Sequence, residues 1–136
     1  MARRRDPNFL TGHLCRFCGE QVPWGEIQRL IRTDPDTPPY QLNESAAHHA
    51  CLRAVLRPEV PLAFARHWPG KVALPDDSAE IDGQPCARCG AAIAPAALVR
   101  LRIQRPAGTV KAPAFDEQSL PLHVDCLAEV SNSRLF

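Results

Sequence analysis

Six cysteines and two of the five histidines fall into a spacing that suits one kind of chemistry. Cys15 and Cys18 are separated by two residues, and His48 and Cys51 follow after a long gap, again two residues apart. Cys86 and Cys89, then His123 and Cys126, repeat the arrangement. Three thiolates and one imidazole make a tetrahedral set that suits Zn2+ better than an iron–sulfur cluster. A C-x2-C turn followed by glycine, here Gly19 and Gly90, presents two sulfurs to one ion. H-x2-C puts its two ligands on one face of a helical turn. The pattern implies two Zn2+ per chain, one held by Cys15, Cys18, His48 and Cys51, the other by Cys86, Cys89, His123 and Cys126.

In the first copy "HHAC" offers two histidines for one place. The second copy separates them, because "HVDC" carries Val124 where the first has His49. His48 is therefore the expected ligand, and His49 a neighbour. The repeat extends beyond the ligands. "CRFCGEQVPWGEIQRLIRTDP" (15–35) lies without gaps on "CARCGAAIAPAALVRLRIQRP" (86–106), an offset of 71 residues from Cys15 to Cys86. The offset becomes 75 at His48 and His123, so four residues enter between, in "TDPDTPPYQLNES" and "QRPAGTVKAPAFDEQS". All six cysteines are used. The competing reading, six unrelated buried or disulfide-linked cysteines, does not explain that regularity.

These ligands need particular elements to position them. "VRLRI" (99–103) alternates apolar and basic residues as a half-buried strand does, and "IQRLIR" (27–32) occupies the same place in the first copy. "AAHHACLRAVLR" reads as a helix with Asn43 or Ser45 as N-cap and Pro58 as its end. "PLHVDCLAEVSNS" reads as its counterpart, starting at Pro121 and ending near Val130. Knuckle, β-hairpin and ligand-bearing helix give the expected fold: a small metal-stabilised α+β protein of two tandem treble-clef zinc modules. The divisions are a basic arm (1–14), module 1 (15–57), an apolar then acidic connecting segment (58–84) and module 2 (85–136).

Length agrees with this. Two halves of about 60 residues lie near the lower limit for an unaided core and call for a staple such as a metal. Fourteen prolines favour small, loop-rich units. The formal net charge is +1, and two Zn2+ on six thiolates would bring it to about −1, so the chain is no general polyanion binder. The N-terminus lacks an apolar run of secretory length, and no segment is long enough to span a membrane. The expected compartment is a reducing cytoplasm, with no membrane partner.

The motif "CRFCGEQVPWGEIQRLIR…HHAC" resembles the zinc fingers of poly(ADP-ribose) polymerases, over roughly 15–56 and 86–130. Val22-Pro23 and Ile93-Ala94-Pro95 match the apolar residue and turn that follow the knuckle there. The resemblance implies a treble-clef-like fold and a grip on DNA ends by basic and apolar residues around the hairpin. Arg29, Arg32, Arg100 and Arg102 occupy the matching neighbourhood. No polymerase catalytic domain is expected in these 136 residues.

Two functions are thus expected side by side. The first is a non-enzymatic zinc-finger protein binding nucleic acid, DNA ahead of RNA, through those four arginines and the arm "ARRR" (2–5). The alternative is a protein–protein adaptor or small subunit of a larger complex, docking through the apolar stretch 58–74. Val60, Leu62, Phe64, Trp68, Val72 and Leu74 there are too apolar to stay in water, and packing between the modules competes with docking. "DDSAEID" (76–82) reads as the hinge. Trp24 suits either base stacking or covering the zinc site. His13, His49 and His67 stand alone without a base and orienting partner, so no catalytic residue and no small-molecule substrate is expected. A treble-clef nuclease would have to use His49.

Overall fold

The computed structural model describes residues 14–23, 26–33, 43–70, 78–109 and 111–131. The arm at 2–5, His13, Trp24, Val72 and Leu74 lie outside them, as do the irregular stretch 34–42 and the start of the acidic segment.

Alternation in the sequence explains the central strand. In β4 (Leu98–Pro106), Val99, Leu101 and Ile103 join the hydrophobic core, while Arg100, Arg102 and Gln104 point to the other face. Its partners are β1 (Gln28–Thr33), β2 (Asn43–Ala47), β3 (Arg66–Pro69) and β5 (Ala114–His123). They form one antiparallel sheet in the order β2-β1-β4-β5-β3. Two helices, α1 (His49–Val55) and α2 (Val124–Val130), bury Leu52 and Leu127 in the same core. Short 3-10 turns cover Ser78–Ile81 and Pro95–Ala97. No helix among the described residues is long and apolar enough to cross a membrane.

The two copies meet through β1 and β4. Arg29 pairs with Gln104, Ile31 with Arg102 and Thr33 with Arg100. Ile31 and Arg102 are repeat equivalents, and the pair Arg29–Gln104 maps onto Arg100–Thr33. The strand pairing is therefore its own image under a two-fold rotation through Ile31 and Arg102. The hairpins match too, since Gln28 against Ala47 corresponds to Val99 against Leu122. Both registers agree with the offsets read from the sequence, so the four-residue difference lies beyond the shared pairs. There β4 and β5 run on to Pro106 and Phe115, and β3 pairs with this extra length, from Ala114 to Glu117.

The helices start later than the sequence suggests. Asn43 and Ser45 are not caps, because 43–47 is extended and pairs with β1. Pro121 likewise belongs to β5. Each helix has seven residues and begins after an extended histidine, His48 or His123, with no side-chain cap. Burial of Ala46 and Ala47 and of Leu120 and Leu122 favours the sheet over a longer helix.

The connector packs inward. Val60 and Phe64 are buried and Leu62 lies against the core. Phe64 sits at φ 49, strained for an aromatic residue. Its N–H donates to Gln118 Oε1 (3.2 Å), and Arg105 stacks 4.4 Å from its ring centroid. The acidic segment is no free hinge where it is described. Ile81 is buried, Glu80 accepts from Arg66 (2.7 Å), and Asp82 holds Arg100 through two bonds of 2.9 and 2.6 Å.

Candidate metal centres

Each knuckle is built by backbone hydrogen bonds that recur in both copies. Cys15 N–H donates to Glu20 O (2.8 Å) and Gly19 N–H to Cys15 O (2.8 Å); Cys86 N–H donates to Ala91 O (2.9 Å) and Gly90 N–H to Cys86 O (2.9 Å). Closing this turn requires left-handed backbone, at φ 80 for Gly19 and φ 81 for Gly90, which glycine alone adopts cheaply. The knuckle is then tied to the hairpin, Arg16 N–H to Ala46 O and Ala87 N–H to Pro121 O. That last bond brings the first cysteine pair beside the strand that ends in the ligand histidine.

At the junction of strand and helix the histidine turns inward. His48 Nε2 donates to Gln21 O (3.1 Å) and His123 Nε2 to Ala92 O (3.0 Å), which leaves each Nδ1 free to ligate. Nδ1 of His48 lies 3.5 Å from Cys18 Sγ and 3.7 Å from Cys51 Sγ. Nδ1 of His123 lies 3.3 Å from Cys89 Sγ and 3.8 Å from Cys126 Sγ. Tetrahedral Zn2+ with ordinary bond lengths has a sulfur–nitrogen edge of about 3.6 Å. Both clusters therefore have the size of a tetrahedral ion's shell. All four ligand atoms in each lie within 4.8 Å of one another, so each Cys3His group could hold a metal ion.

The electrostatics of both clusters are alike. Burial pushes the Cys15 thiol up, but N–H groups of Cys18, His48 and Phe17 outweigh it and bring it down to about 6. Cys86 is also brought to about 6, burial being overcome by N–H groups of Cys89, His123 and Arg88. Burial and the neighbouring sulfurs push Cys51 and Cys126 up to about 12. Three thiols so close resist ionising together, and a dication between them removes that conflict. All six cysteines are free of disulfides.

The arginines named from the sequence have other employment. Arg102 is 1% exposed and donates to Glu117 Oε1 (2.8 Å), itself fully buried and also bonded by Gln104 (2.7 Å) and Arg66 (3.0 Å). A guanidinium so placed cannot reach a phosphate without leaving this network. Arg100 is held by Asp82. Arg29 and Arg32 are half-buried on β1. Sequence reasoning missed the carboxylates because Glu117 and Asp82 are distant in the chain.

Two histidines also have partners. The buried Gln28 amide donates to His49 Nδ1 (2.8 Å). The equivalents of this pair are Val99 and Val124, so the repeat carried the signal: one polar pair exchanged for one apolar pair. His67 Nδ1 lies 2.8 Å from Asp116 Oδ1, on the exposed β3 edge.

No family model matches the chain, and no curated protein or solved structure does so either. The likeness to the poly(ADP-ribose) polymerase fingers thus has no family match behind it. Among the described residues, the fold and clusters define a small α+β arrangement with one antiparallel sheet, two helices and two Cys3His groups compatible with zinc modules.

Proposed function

We propose that both clusters hold structural Zn2+ in tandem treble-clef modules, and that the chain is a non-enzymatic adaptor presenting a rigid surface to a protein partner. Knuckle, hairpin and helix follow one another in treble-clef order in each copy. Four protein ligands close each shell and leave no position for a substrate. Thiols that must stay reduced suit a cytoplasmic protein.

The observation that favours a protein target is the engagement of Arg100 and Arg102 with Asp82 and Glu117. Apolar residues, by contrast, are exposed at both knuckles. Leu14 is an exposed large apolar residue beside the first, and Ala91, Ala92, Ala94, Pro95 and Ala96 form an exposed, uncharged rim at the second. The stretch 58–74 is a weaker docking surface than its composition suggests, since Val60 and Phe64 are core residues. Nucleic-acid binding, DNA ahead of RNA, remains the second reading and would depend on Arg29, Arg32 and the N-terminal arm.

Co-purification from the native host tests the first reading, with a stoichiometric protein partner as the expected result. A shift assay on DNA and RNA at low ionic strength separates the two. Binding that weakens steeply with salt would favour the second reading.

A further inference from the structure

We infer that the two metal centres are coupled, so that an ion at either one raises affinity at the other, through contacts between each knuckle and the opposite module's helix end. The inference rests on the reading that each cluster binds an ion. The residues between the two knuckle cysteines carry it. Arg16, between Cys15 and Cys18, donates through Nε to Ser131 Oγ (3.2 Å). Ser131 directly follows α2 and donates to Leu127 O (2.7 Å). In the other direction Arg88, between Cys86 and Cys89, donates to the carbonyl of Val55 (3.0 Å), the last residue of α1. Its second nitrogen reaches Glu129 of α2 (3.0 Å). Ala87 O accepts the N–H of Arg57 (2.9 Å), and the Arg57 side chain would lie 3.3 Å from a Cβ on Gly90.

The apolar seam between the helices repeats this crossing. Phe17 and Arg88, which are repeat equivalents, line it with Leu52, Val55, Leu127 and Val130. Cys51 thus sits in a helix whose end is clasped by the second knuckle, and Cys126 in a helix whose following residue is clasped by the first. The clasp is reciprocal because the modules are related by a two-fold rotation. An ion that orders one knuckle also orders the opposite helix end, so the second ion binds a helix already fixed. By linkage the effect is equal in both directions.

Native mass spectrometry of the full chain, brought to half saturation with Zn2+ through a competing chelator, reads the coupling directly. Independent equal sites leave about one half of the molecules with a single ion, whereas tenfold coupling lowers that share to about one quarter. We expect about one quarter or less for the wild type. Arg88→Ala and Ser131→Ala should each move the share back towards one half while both ions still bind at saturation. A wild-type share of one half or more that neither Arg88→Ala nor Ser131→Ala raises further overturns the coupling. Fewer than two ions at saturation would instead refute the reading of the sites.

Discussion

Adjacent imidazoles at 48 and 49 differ in what their Nδ1 atoms face: cysteine sulfurs for His48, the Gln28 amide for His49. His48→Ala should therefore lower the zinc content from two ions to one or fewer, and His49→Ala should keep both, as metal analysis of the purified variants will show. The reverse result would break the register between the copies. His49→Val should also be costly in a separate way. It strands the amide of Gln28, only 4% exposed, at a cost of about 1–3 kcal/mol. The double change Gln28→Val with His49→Val copies the Val99–Val124 pair of the second module. Denaturant titration of the zinc-loaded proteins should find the double variant at least as stable as the single one. A double variant weaker than both singles would show that the polar pair has a use beyond packing.

At the scale of elements, β3, β4 and β5 meet around Glu117. Burial alone would raise its carboxyl, but hydrogen bonds from Arg102 and Gln104, with Arg66, hold it below the usual carboxylate range. Glu117→Gln leaves Arg102 buried without a counter-charge, which costs about 3–5 kcal/mol. The sign with pH follows from the depressed pKa. The Glu117 contribution is whole above the ordinary carboxylate pKa and is lost as pH falls through the folded value. Urea titrations at several pH values should thus show the wild type and Glu117→Gln well separated near neutrality and converging in acid. A gap that does not depend on pH would assign the loss to packing. The edge strand β3 pairs with the stretch that lengthens β5, from Ala114 to Glu117.

For the molecule as a whole, one sheet runs through both copies, and the β1–β4 seam joins them into a single core. Zinc removal by a chelator should unfold both halves in one transition, followed by circular dichroism, because neither knuckle can release its sulfurs without freeing strands and helices of the shared core. Two separated transitions would show that the halves stand independently. Acidification should release the ions as well, since protons compete with them for thiolate and imidazole. Zinc retained well below pH 4 would argue against these ligands.

The ligand clusters, the strands read at 27–32 and 99–103 and the place of the length difference were legible in the sequence, because each depends on spacing or alternation along a short stretch. C-x2-C, H-x2-C and period-two apolar residues are local signals, and the repeat let one copy interpret the other. Only the tertiary structure decided what lies far apart in the chain. It gave 43–47 and 121–123 to the sheet, since pairing with β1 and β4 outweighs the helical tendency of alanine-rich sequence. It placed Glu117 against Arg102 and Asp82 against Arg100, turning a basic stripe into a set of ion pairs. It also set β1 against β4 about a two-fold axis. Two similar sequences can lie beside each other in many ways, and the choice is made by which apolar faces and unpaired strand edges must be covered together.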